Sequence, residues 1–395
     1  MMLRRLRILA VLVALPATAA SYRFGAIWDG EKRTTNACLT IERDRIESVG
    51  PCPANAIDLS RLTAIPGLID MHTHMTYVLD NPVSQSGRNA ATVYLARENA
   101  MKTLETGVTT VRDLGTRNYA DIAMRDLIDK DLMKGPRMFV AGQGLASPRA
   151  RPVGAEEVAR LVAEQVKAGA DWIKMYGSTG SGQDVTGDQT FNFEEMKSAV
   201  EAAHGFGKCI AIHSYGPAGA RDAIRAGTDT LEHATDMDTE TIGQLAARKI
   251  WYVPTIDHNR YYVDNFKLLG FAPSSVQGLN DFIARNLETT RRAFQAGVRF
   301  AMGSDAVRSM FGENTRELAW FVKAGMTPEQ ALKTATVNGA EALGMEKSLG
   351  ALKPGHFADV AAVEGDPLAD IDVVIHRVRW VMKGGEVVVD KTGVR

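Results

Sequence analysis

From residue 62 onward, short apolar runs alternate with segments whose apolar residues recur every three or four positions, the pattern of a parallel sheet with crossover helices. Eight such units can be counted, with strands over 62–75, 108–114, 137–141, 171–176, 208–214, 230–234, 251–256 and 298–305. Between them lie helical segments such as 156–168, with Val158, Leu161, Val162 and Val166 on one face, and 193–204, with Phe193, Met196 and Val200 spaced in the same way. Glycines such as Gly169 and Gly207 stand where a helix should end in a left-handed cap, shortly before the next strand. This pattern predicts an α/β fold, a (β/α)8 TIM barrel over 62–349.

Two segments fall outside that pattern. Residues 22 to 61 read as hairpin-forming β structure, and residues 350 to 395 contain apolar runs at 358–363 and 378–389, the second broken by a Gly384-Gly385 turn. Neither is large enough to bury a core alone, so 21–61 and 350–395 are expected to pack together as one small β-sandwich domain. The stretch 257–279, rich in Tyr, Asn and Asp, reads as a long loop suited to be a lid or substrate-facing segment.

With 395 residues, 45% hydrophobic and 24% charged, the chain can bury a large core, which excludes a disordered or fibrous class. The formal net charge of -1 leaves no electrostatic footprint for nucleic acid or an anionic membrane. Residues 1–20 combine a basic start, a short apolar stretch and a small-residue cleavage context, which predicts a signal peptide, a mature start near Ser21 and a periplasmic or secreted protein. The competing reading is an uncleaved membrane anchor. No later segment is long and apolar enough to span a bilayer, so no membrane association is expected of the mature form. In an oxidising compartment Cys38 and Cys52, which flank the hairpin 39–50, are expected to form a disulfide. Cys209 reads as a buried inert thiol.

Candidate chemistry gathers at the ends of the strands. His72 and His74 are two apart on strand 1, so both imidazoles can face one ion. His213 closes strand 5, His233 closes strand 6 and Asp305 closes strand 8, at the face where barrel active sites form. Lys174 sits in an apolar strand 4, where burial would favour a neutral amine able to react with carbon dioxide. Singly, each residue has an ordinary structural explanation. Jointly, six residues of metal-compatible character at the ends of five strands point to a metal site, with Asp305 also able to accept a proton. Glu232 adjoins His233 but should point to the opposite face, and so reads as structural.

That ordered set, with the run Pro66-Gly-Leu-Ile-Asp-Met-His-Thr-His74, resembles the amidohydrolase superfamily from about residue 25 to the end. The segments 109–115, 231–234 and 352–359 resemble its imidazolonepropionase-like branch, which includes Xaa-Pro dipeptidases and ochratoxin-hydrolysing amidases. The resemblance implies a barrel with a β-sandwich from both termini. It also implies one metal on His72, His74 and Asp305, a second on His213 and His233, and carboxylated Lys174 as the bridge, with homo-oligomers common. One departure is the loop 142–152, where many members of the branch carry a Gly-Gly-His run. Arg149 and Arg151 stand there instead, either as binders of a substrate carboxylate or as solvated loop residues.

The expected chemistry is binuclear: two divalent ions, zinc by ligand type, activate a bridging hydroxide for attack on a small-molecule amide, either a peptide or an N-acyl amino acid. Tyr176 and Tyr215, each two residues past a ligand, are candidate substrate contacts; packing is the competing reading. His258 is a candidate beside the site or on the lid, against the reading of an ordinary surface histidine. An ester, lactone or organophosphate hydrolase remains open on the same residues. So does a non-catalytic barrel-fold binding protein.

Overall fold

In a computed structural model, residues 19–78, 89–147 and 152–393 are described. The leader call over 1–20 therefore lies almost wholly outside the described residues, as do Arg149 and Arg151. The described strands form three sheets. One holds five strands in the order β12-β11-β10-β9-β8: β8 (Trp172–Tyr176), β9 (Cys209–Ser214), β10 (Thr230–His233), β11 (Trp251–Val253) and β12 (Arg299–Phe300). A second holds three: β5 (Leu68–Thr73), β6 (Val108–Asp113) and β7 (Arg137–Val140). Every pairing within these two sheets is parallel. Helices such as Ala155–Ala168 and Phe193–Gly205 connect successive strands, as their apolar spacing predicts.

Backbone hydrogen bonds run between the two sheets. On one side Asp171 N–H donates to Val140 O at 2.7 Å and Leu145 N–H to Lys174 O at 2.8 Å. On the other, Met71 N–H donates to Met302 O at 2.8 Å and Asp305 N–H to His72 O at 2.7 Å. The last predicted strand, 298–305, is regular only over Arg299–Phe300. Beyond it the chain is irregular, and Gly303 passes so close to strands β11 and β5 that an added Cβ would lie 2.4 Å from Val253 Cγ1 and 2.8 Å from His72 Cβ.

The two chain ends do pair, in one seven-stranded sheet of order β15-β14-β13-β4-β1-β2-β3. It joins β1 (Ala20–Trp28), β2 (Arg33–Glu42), β3 (Arg45–Gly50) and β4 (Ile57–Pro66) to β13 (Val360–Val363), β14 (Val378–Lys383) and β15 (Glu386–Asp390). Apolar residues alternate between its faces. Val360, Ala362, Trp380 and Met382 pack with Phe24, Ile27 and Leu39, whereas Ala361, Val363 and Val381 join the main core. Burial on both faces is why these runs are continuously apolar in sequence.

Two expectations are corrected. The first predicted strand, 62–75, is two strands: β4 runs through Pro66 in the terminal sheet, and β5 begins at Leu68. The break falls at Gly67, whose N–H bonds Asp359 O at 2.8 Å and whose Cα packs against Thr109 too closely for a side chain. The segment 257–279 is not a loop throughout, because helix Ile256–Asp264 occupies its start and helix Ser275–Gln295 its end. Ile256, Asp257, His258, Asn259, Tyr261 and Tyr262 are all buried, so the first helix is enclosed on more than one side. Its first free N–H groups, those of Ile256 and Asp257, are capped by the Glu317 carboxylate at 2.9 and 2.8 Å.

Cys38 and Cys52 are joined, tying β2 to the turn after β3, 14 residues apart. Closing a loop of that size removes about 3 kcal/mol of chain entropy from the unfolded state. The double variant Cys38→Ser/Cys52→Ser should therefore lose about 2–4 kcal/mol in urea unfolding relative to the oxidised protein. Identical midpoints would show that the link contributes nothing.

Candidate active site

The six strand-end residues converge. His72, His74, Lys174, His213, His233 and Asp305 line one cavity of about 530 Å³, together with Tyr77, Tyr176, Tyr215, His258, Tyr262 and Arg308. Asp305 Oδ1 lies 3.3 Å from His74 Nε2 and 3.5 Å from His72 Nε2. Its Oδ2 lies 3.3 Å from His258 Nε2 and 4.0 Å from His233 Nδ1. Lys174 Nζ is 3.4 Å from His72 Nε2, and the His213 and His233 rings meet edge to face at 4.4 Å. Ligand atoms of His72, His74 and Asp305, all buried, lie within 4.8 Å of one another, a group that can hold a metal ion.

Three of the imidazoles are oriented from behind. His72 Nδ1 bonds Glu232 Oε2 at 2.7 Å, His74 Nδ1 bonds Gly115 O at 3.0 Å, and His233 Nδ1 bonds the Thr255 hydroxyl at 2.6 Å. A ring proton on Nδ1 would leave the Nε2 lone pairs of His72 and His74 toward Asp305, the tautomer that metal binding requires. The ends of β5 and of the last strand are locked together by Asp70, which accepts from Ser304 N at 2.9 Å, Ser304 Oγ at 2.6 Å and Asn314 Nδ2 at 3.0 Å.

Backbone strain collects at the same place. His233, Ala234, Thr255, Asp305 and Arg308 all have positive φ, between 36° and 70°. The Tyr252 hydroxyl sits behind His233 and Ala234, within 2.9 and 2.7 Å of their carbonyl oxygens. This geometry corrects the reading of Glu232. At φ 70° His233 has left the strand conformation, so strict alternation ends there and both Glu232 and His233 serve the same site.

Burial sets the protonation states. It drives His213 and His233 well below the usual imidazole range and His72 down to about 4, which leaves all three neutral with lone pairs available. It lowers the Lys174 amine to about 8, with the Arg112 charge acting in the same direction. For Asp305, burial alone would raise the pKa, but His258, His72 and His74 outweigh it and hold the carboxylate well below its ordinary value. Asp113, buried beside Asp121, is pushed up to about 7.

Of the weaker candidates, Tyr215 stacks on His213 at 5.0 Å and Tyr176 meets the same ring at 5.7 Å, so both tyrosines border the His213 imidazole. His258 is buried against Asp305, not on the surface, because the helix beginning at Ile256 turns it inward. Cys209 is half-buried and unpaired, with its thiol pushed up to about 11 by burial. Sequence reasoning passed over Arg112, Asp70, Thr255 and Glu317. An arginine inside a strand flanked by predicted helices, 108–113, was the available signal for Arg112, since such a charge is buried only beside a partner.

Comparison with known proteins agrees with this geometry. The profile described as "Amidohydrolase family" matches residues 63–388. Ochratoxinase of Aspergillus niger is 30% identical, over 82% of this chain and 75% of that protein. Among solved structures, a Xaa-Pro dipeptidase with methionine bound in its active site superposes with a TM-score of 0.85 at 30% identity, covering 94% of this chain and 99% of that one. A prolidase complexed with N-methylphosphonate-L-proline superposes at 0.86 with 25% identity, over 94% and 100%. A family match spanning most of the chain, over strand ends that bring these side chains together, makes this protein a member of the amidohydrolase family, a hydrolase.

Proposed function

We propose that this chain is a metal-dependent hydrolase of the amide bond in a small carboxylate-bearing compound, a dipeptide or an N-acyl amino acid. The observation that carries this reading is the buried convergence of His72, His74 and Asp305 in the same cavity as Lys174, His213 and His233. Similarity to an ochratoxinase, a Xaa-Pro dipeptidase and a prolidase supports an amide C–N bond as the target. The scaffold we infer is a closed (β/α)8 barrel from β5 to about residue 349, with the terminal strands as a separate small domain. Its support is the backbone bonding between the two parallel sheets on both sides. The Cys38–Cys52 link supports export to an oxidising compartment.

In this reading His72, His74 and Asp305 would hold one divalent ion and His213 and His233 a second, zinc by ligand type, with Lys174, carboxylated on Nζ, as a further ligand. When bound, such ions supply a Lewis acid for the carbonyl oxygen and a water whose pKa lies near neutrality. The residues themselves supply proton handling and orientation. Asp305, held ionised, takes the proton of the attacking water on a carboxylate oxygen and returns it to the departing amine. Tyr176 and Tyr215 border the ligands and orient the carbonyl or its substituents. Arg308 lines the cavity and is suited to pair with the substrate carboxylate.

Elemental analysis of the purified protein should find about two divalent ions per chain, with metal content and activity both lost in Lys174→Ala. No bound metal, together with full activity in the variant, would remove the site assignment. A panel of dipeptides, N-acyl amino acids, esters and lactones should show turnover of the amides; turnover of esters and lactones alone would replace the amide reading. Arg308→Met should raise KM for carboxylate-bearing amides by about tenfold or more, the loss of one charged hydrogen bond, with a smaller change in kcat. An unchanged KM would take Arg308 out of substrate recognition.

A further inference from the structure

Behind the cavity lies an ion pair that the proposed reaction does not use. Arg112, on β6 of the three-stranded sheet, is fully buried. Its Nε donates to Met71 O at 2.7 Å, its Nη1 to the Thr230 hydroxyl at 2.9 Å and its Nη2 to Glu232 Oε1 at 2.8 Å. The guanidinium also lies 4.5 Å over the Trp172 ring, on the strand that carries Lys174. Glu232 spends its other oxygen on His72 Nδ1 at 2.7 Å. The result is a directed chain from the guanidinium through the carboxylate to the imidazole, ending at Nε2, 3.5 Å from Asp305.

We propose that Arg112 and Glu232 act together as positioning residues that make His72 a metal ligand. The inference rests on the metal-dependent reading above. A neutral imidazole has one N–H, so a carboxylate that accepts it at Nδ1 leaves the lone pair on Nε2 and fixes the plane of the ring. A carboxylate also makes the ring a stronger donor than a carbonyl would. Glu232 cannot turn away, because Arg112 and Thr230 hold its other oxygen. Arg112 is in turn anchored to the backbone of Met71, the residue before His72, so donor and ligand move as one unit. Behind His74, by contrast, the Nδ1 partner among the described residues is a backbone carbonyl, that of Gly115.

A buried ion pair with no role toward the metal would give the same packing, so the test separates metal affinity from folding. Metal-free wild type, Glu232→Gln and the double variant Arg112→Met/Glu232→Gln are compared by zinc competition against a chromophoric chelator, with thermal midpoints recorded on the same samples. The double variant leaves no uncompensated charge in the interior and keeps the experiment interpretable if Glu232→Gln folds poorly. The expected result is zinc affinity weaker by about 10- to 100-fold in both variants, the usual cost of losing such a partner, at thermal midpoints too similar to account for it. Wild-type affinity in a folded variant would overturn the proposal and leave the pair as packing only. Wild type that takes up no zinc would instead bring down the metal-dependent reading, and the positioning role with it.

Discussion

A charge can be carried into a dry protein interior only beside its opposite, and the inner end of this site is built on one such pair. Arg112 and Glu232 are both fully buried, and they belong to different sheets. Each is costly without the other, since removing one partner strands the second in a low-dielectric interior. Their contact therefore fixes how the three-stranded and five-stranded sheets meet, and it does so directly behind His72. The same guanidinium reaches the Met71 carbonyl and the Trp172 ring, so the strands that carry His72, Lys174 and His233 share one reference point.

From that point outward the cavity is electrically lopsided in a useful way. Burial keeps the imidazoles of His72, His213 and His233 neutral, and Asp305, whose carboxylate lies well below its ordinary range, stays ionised. Neutral nitrogen donors beside a single carboxylate suit a divalent cation. The geometry is held at some cost to the backbone, with left-handed conformations at His233, Thr255 and Asp305. Those conformations persist because neighbouring bonds over-determine them: the Tyr252 hydroxyl behind His233, the Thr255 hydroxyl on the His233 ring, and Asp305 N–H on the His72 carbonyl.

Much of this was legible in the chain. The alternation of apolar runs and helical-period segments identified the parallel strands, and the six polar residues at their ends were found because charged or histidine side chains in apolar strands stand out. The failures share a cause. Strand alternation, extended through His233, puts Glu232 on the wrong face because the backbone turns left-handed there. The helix carrying His258 reads as a loop from sequence because what holds it lies in distant segments: Glu317 accepts from its first backbone N–H groups, and the Trp320 indole donates to Asp257. The first strand reads too long in sequence because Gly67 separates two apolar strands that belong to different sheets.

Local sequence thus determined what depends on local periodicity: which segments are strands or helices, and which side chains stand at the ends of strands. The tertiary structure alone decided which of those side chains meet, which ring nitrogen each histidine presents, and what stands behind it. His72 and Glu232 are 160 residues apart, and Arg112 and Glu232 are 120 apart. No repeating pattern encodes such a pairing, because it arises only when two sheets pack and exclude water from the charges between them.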